Sequence, residues 1–150
     1  MNAVKYPLVL RDTAINVAAS DFDEFTAARV NSGHRGLHLY SVRTADTGTS
    51  ALNHFLQGLI PGGDETDDAD WLDLTLSVAV WGDGETGVNQ AIIYPGITAA
   101  DADGVILAVS TAGAELAYVN AYLPYRWRIR SRSGGTTVTN TYGLYAVPLP

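Results

Sequence analysis

Residues 125–147 read YRWRIRSRSGGTTVTNTYGLYAV, and how this stretch pairs decides the fold. From Tyr125 to Arg132 it alternates strictly. Tyr125, Trp127, Ile129 and Ser131 point one way and Arg126, Arg128, Arg130 and Arg132 the other, as the period-two geometry of a strand requires. Gly134-Gly135 follows as a turn signal, and then a second run rich in Thr, Val and Tyr, so the expectation is a β-hairpin. The first strand carries four of the chain's nine cationic residues on one face. A like-charged ladder repels itself, and in a chain of net charge -7 it calls for acidic partners. The stretch has no active-site character.

Working outward, 150 residues suit one domain with a real core. A hydrophobic fraction of 47% beside 17% charged residues argues for a globular chain and against disorder. With no cysteine, disulfides and thiolate metal sites are excluded. An isoelectric point near 4.6 disfavours nonspecific binding to nucleic acid or to an anionic membrane. No basic start followed by a long apolar run marks a signal peptide, and no window reaches the ~18 apolar residues that span a bilayer. The expectation is a soluble protein made in a cytoplasm.

In chain order, residues 4–20 hold β-formers, with Pro7 suiting an edge strand or an arm. Residues 1–20 are therefore a candidate N-terminal arm, in which Val4, Tyr6, Leu8, Val9 and Leu10 have apolar surface to bury; an ordinary edge strand is the alternative. Ser20 to Glu24 reads either as a helix cap or as an acidic loop. Leu37–Arg43 is a strand closed by a turn at Thr44–Thr49. Ser50–Ile60 has helical spacing at Leu52, Phe55, Leu56 and Leu59, yet its setting and Gly58 favour a strand with room for a bulge. Pro61–Asp70 is a turn followed by five carboxylates, Asp64, Glu65, Asp67, Asp68 and Asp70. Trp71–Trp81 reads as a core strand with Leu72, Leu74, Leu76, Val78 and Val80 inward and Asp73, Thr75 and Ser77 outward. Gly82–Gly87 is a hairpin loop, Val88–Tyr94 the next strand, and Val105–Val109 and Glu115–Leu123 two more. About eight short strands between turn signals predict an all-β, single-domain antiparallel β-sandwich, jelly-roll-like.

Chemistry is sought and not found. His34, His38 and His54 lack HxH or HExxH spacing and read as surface or half-buried histidines. No GxSxG marks a nucleophile. The acidic run 64–70 lacks the spacing of an EF-hand, so it is a solvated loop, a partner for a basic surface or, least favoured, a calcium site. The expectation is no catalytic residue, no metal and no cofactor. The arginine ladder has two main readings: pairing with Asp or Glu on adjacent strands, or pairing between subunits with the acidic loop 64–70. Nucleic acid is disfavoured, because Tyr125 and Trp127 sit on the opposite face from the arginines.

From about Gly36 onward the chain resembles tailed-bacteriophage virion structural proteins of the capsid decoration, or cement, kind. Four features in order carry the resemblance: Leu37-His38-Leu39-Tyr40 running to Gly48-Thr49; Asp70-Trp71-Leu72-Asp73; Ile92 to Gly96; and Leu123 to Arg130 with its Gly-Gly-Thr-Thr turn and closing Tyr-containing strand. The resemblance implies a protein without catalysis on the capsid surface of a virion. It would bind the major capsid protein, often as a homotrimer, and strengthen the shell. The interface residues expected on the sequence are Arg126, Arg128, Arg130, Arg132, the five carboxylates of 64–70, and Val4, Tyr6, Leu8 and Leu10. The rivals are a tail, neck or fibre component, and a carbohydrate-binding sandwich using Trp71, Trp81, Tyr94, Tyr118 and Tyr122.

Overall fold

The computed structural model describes residues 8–18, 22–75, 78–97 and 116–150. Its strands are β1 (Leu8–Ala18), β2 (Phe22–Phe25), β3 (Arg29–Val30), β4 (Gly36–Leu59), β5 (Trp71–Asp73), β6 (Val78–Trp81), β7 (Gly87–Ile93), β8 (Leu116–Val119) and β9 (Arg126–Leu149). One 3-10 turn, Asp68–Asp70, precedes β5. No helix among the described residues is long and apolar enough to cross a membrane.

Two strands of 24 residues each, β4 and β9, pair antiparallel from Gly36↔Leu149 to Gly58↔Trp127. Straight, each would span about 80 Å. They are not straight. Ser41 and His54 would lie about 43 Å apart on a flat strand, yet their side chains share a hydrogen bond of 2.7 Å. The paired ribbon therefore doubles over on itself and makes two layers. In the first, the strands run in the order β1-β9-β4-β7-β8; in the second, β2 and β3 flank β9, and β5 and β6 flank β4. All pairs are antiparallel except β7–β8. The architecture is an all-β sandwich; its strand order, with a parallel pair at one edge, does not by itself define a jelly roll.

The bend is built from two bulges. Arg43 faces Tyr142 but Ala45 faces Thr141, which puts one extra residue in β4. Thr47 faces Thr139 but Thr49 faces Thr136, which puts one extra residue in β9. Side chains alternate with period two, so each extra residue swaps the faces of its own strand. Buried positions in β4 accordingly run Leu37, Leu39, Ser41, Arg43, and then Leu52, His54, Leu56. In β9 they run Trp127, Ile129, Ser131, Ser133, and then Asn140, Tyr142, Leu144, Ala146. Both layers thus turn their apolar sides onto one core, completed by Trp81, Ala91 and Ile93.

Several expectations are corrected here. Gly134-Gly135 is not a hairpin turn: β9 runs through it, opposite Ala51 and Ser50, with Gly135 at φ 120°. Paired glycines serve a turn or a sharply bent strand equally, and distant β4 offers a longer ladder than the hairpin could. Thr44–Thr49 is likewise strand, not turn. Ser50–Ile60, in contrast, is strand through Leu59 as its setting and Gly58 favoured, with a register shift against β6 between Leu52 and His54. Of Ser20 to Glu24, expected as cap or acidic loop, Phe22 to Glu24 belong to a strand on β9 and Ser20 and Asp21 lie outside the described residues.

Trp71–Trp81 is not one core strand. Leu72, Leu74 and Val80 are 54%, 42% and 37% exposed, whereas Trp71 and Trp81 are buried. The ladder is interrupted where the Leu56 backbone N–H donates to the Thr75 hydroxyl instead of to a carbonyl, and Ala79 sits at φ 48°. Leu76 and Ser77 lie outside the described residues. The 82–87 segment does not close a hairpin either. It crosses between the layers, since β6 pairs with the second-layer half of β4 and β7 with the first-layer half. Residues 8–18 form the edge strand rather than a free arm, and Leu8 and Leu10 pack against the core. Val4, Tyr6 and Val105–Val109 lie outside the described residues.

Candidate interaction surfaces and a sealed polar core

Arg126, Arg128 and Arg130 stand on the outer face of the second layer, and each finds an acid within the chain. Arg126 Nε lies 2.6 Å from Glu65, and Arg128 Nη2 lies 2.9 Å from Asp68. Arg130 bridges Asp73 at 2.7 Å and Asp23 at 3.3 Å. Arg132 is also engaged. The ladder meets the acidic loop, as the charges demanded, but it does so inside one subunit. It also takes acids from β2 and β5, the strands flanking the ribbon.

Aromatic rings fix the guanidinium groups in place. Arg128 lies between Phe25 at 4.0 Å and Trp71 at 4.4 Å, and its Nε donates to Gln57 Oε1 at 2.8 Å. Arg130 lies over Phe55 at 4.2 Å. A planar cation favours such stacking. The other loop carboxylates fold the loop itself. Asp67 accepts from the Ala69 N–H, Asp70 from the Asp64 N–H, and Asp64 from both the backbone and the hydroxyl of Thr66, which hold its carboxyl below the usual range. Trp71 Nε1 donates to the Glu65 carbonyl, so the loop lies over the indole. Among the described residues no three His, Asp or Glu side chains are grouped to hold a metal ion.

Between the layers lies a polar group that sequence reasoning missed. His54 Nε2 is 2.7 Å from Ser41 Oγ, and His54 Nδ1 is 2.8 Å from Ser131 Oγ. Trp81 Nε1 donates to Ser41 Oγ at 2.8 Å. With Trp81 filling one lone pair of Ser41, that hydroxyl is placed to donate to Nε2, leaving the Nδ1 proton for Ser131. A serine beside an imidazole is the start of nucleophilic chemistry, but here Ser41 and His54 are fully buried. Burial, with the nearby Arg11 cation, pushes the imidazole down to about 3, which makes it a weak base at neutral pH. The group is a structural joint between layers.

Two further groups of contacts complete the joint. Tyr142 donates to Glu24 at 2.8 Å, Glu24 pairs with Arg11, and burial raises the Tyr142 phenol. Arg43, fully buried at the bend, donates to the carbonyls of Gly82 at 2.6 Å and Glu85 at 3.1 Å and to Asn140 Oδ1 at 2.5 Å. The available signal was inward parity: Ser41, Arg43 and Ser131 fall on the same face as the core residues of their strands.

The carbohydrate platform does not assemble as expected. Trp81 is a core residue and Trp71 lies under the acidic loop and Arg128. Tyr94 donates to the Pro150 carbonyl and stacks under Arg35. Tyr122, with Tyr125, remains largely exposed. His34 is half-buried in its turn, and its N–H is held by Asn31. What fold and site together define is an all-β sandwich with one ion-paired outer face and a sealed polar joint. Comparison with family models, curated proteins and solved structures finds no match to this chain.

Proposed function

We propose that the chain is a non-enzymatic structural protein of a virion, a capsid decoration protein that binds the outer surface of the shell and stabilises it. One observation carries the reading: the side chains with chemical capacity are committed to holding the fold. Ser41, His54 and Ser131 are sealed between the layers, and the arginine ladder is closed by Glu65, Asp68, Asp23 and Asp73. The remaining surface offers extended sheet faces, suited to docking on another protein. The resemblance of four sequence motifs to those of cement proteins supports a place on the capsid, with the major capsid protein as the partner it implies. Many copies, each making modest contacts with several capsomers, would stabilise a shell by avidity.

Quantitative protein analysis of purified particles tests this. The chain should be present at a copy number comparable with that of the major capsid protein, and shells lacking it should break at lower temperature. Its absence from the particle, or its presence in only a few copies at the tail, would overturn the decoration reading. A second reading has one observation in its favour. Tyr122 and Tyr125, each 72% exposed, flank Leu123-Pro124 and could stack on a sugar ring. A glycan array should then give hits that Tyr125→Ala loses; no hits would remove this reading.

A further inference from the structure

The two outer faces of the sandwich differ in kind. The second-layer face carries the arginine ladder and its acids. On the first-layer face, the register places Val9, Tyr145, Tyr40 and Gln90 in one row across four strands, with Val42, Val88 and Val147 beside them. None of these seven residues is Lys, Arg, Asp or Glu. A sheet face built for water alternates polar residues outward; this one does not.

The face is also prepared for drying. Three of its polar side chains are linked to one another: His38 Nε2 lies 3.0 Å from Gln90 Oε1, and Tyr40 OH lies 3.0 Å from His38 Nδ1. Burial holds the His38 imidazole below its usual range, which favours the neutral form in this cluster. Removing water from this cluster orphans none of the groups so paired. The face is smooth as well. Tyr145 lies along the sheet over Gly143, where a Cβ would meet the phenol oxygen at 2.9 Å.

We propose that this face is the surface through which two copies of the chain pair, sheet against sheet, about a two-fold axis. An uncharged surface gives a foreign protein no charge complementarity to orient it, but it is self-complementary and adds no repulsion between two chains of net charge -7. Five strands about 4.8 Å apart and about seven residues long give roughly 500 Å2 of plan area per copy, or roughly 1,000 Å2 for the pair. Specific interfaces begin near that size. Aligned packing of two such faces is the ordinary way sheets stack. The inference stands apart from the virion reading: it is decided in solution, whereas that reading is decided by the contents of a particle.

Light scattering of the purified chain across a concentration series, at low and at high salt, tests it. The expected mass is twice 15.9 kDa at both salt levels, because salt screens ion pairs and leaves apolar contact intact. Val42→Glu and, separately, Val88→Glu should each give monomers that melt close to the parent. Val88 is already 39% exposed, so its variant decides the matter if Val42→Glu misfolds. A parent monomeric at every concentration overturns the pairing; loss of capsid binding by Val88→Glu would then give the face to a capsid partner. An oligomer that survives both substitutions, or that dissociates in salt, also overturns it and points to the charged face.

Discussion

His54 should contribute strongly to the pH dependence of stability. Its imidazole is neutral when folded, with a pKa pushed down to about 3 against about 6.5 in the unfolded chain. A group with a depressed folded value contributes fully above the unfolded value and loses that contribution as pH falls toward the folded one. Urea midpoints should therefore drop between pH 7 and pH 4, with about one extra proton taken up on unfolding. In His54→Gln that slope should shrink by about one proton; an unchanged slope would assign the acid sensitivity to the carboxylates. The arginines separate by burial in the same way. Arg126 and Glu65 are both about one-third exposed, and a double-mutant cycle should give no more than about 1 kcal/mol of coupling. Arg128→Ala should cost about 1–3 kcal/mol, because it leaves Gln57 Oε1 without its donor and opens the slot between Phe25 and Trp71.

At the scale of elements, the bend is the decisive feature. Gly135 holds φ 120°, where a Cβ is strained, so Gly135→Ala should destabilise by about 1–3 kcal/mol. A thermal melt unchanged from the parent would show that the bend tolerates a side chain. The bend also explains what the sequence could and could not tell. Alternation from Tyr125 to Arg132 revealed the strand, its arginine face and its inward Trp127 and Ile129, because local period-two geometry decides those. The acidic loop was legible as the arginines' counterpart, since charge must be balanced wherever it lies. The pairing partner was not legible. Gly134-Gly135 is compatible with a turn or a bent strand, and only the match of 36–59 to 126–149 along their whole length chooses between them. Trp71–Trp81 misled for a related reason: a Thr75 hydroxyl interrupts the ladder, and parity beyond an interruption is not readable from the residues before it. The joint at His54 showed in the sequence only as inward parity; its pairing was not legible because Ser41 and His54 lie on two halves of one strand that only the fold brings together.

At the scale of the whole molecule, β9 is central in both layers. Its ladder with β4 joins residues as distant as Gly36 and Leu149 and none nearer than Gly58 and Trp127. Folding should be slow, in the millisecond-to-second range of chains dominated by non-local strand pairing. Removing 126–150 should leave no cooperative unit, since β1, β2 and β3 lose their only ladder and β4 its longest one at once. A truncated chain that still melts cooperatively would contradict this account. The same arrangement governs the birth of the protein. A ribosome adding about 5–20 residues per second emits β1 to β8 before the strand that organises them exists. The nascent chain must wait several seconds with its apolar faces uncovered. Holding it unaggregated over that interval is a task for the cell's chaperones, and any message cut short before β9 yields a product fit only for proteolysis.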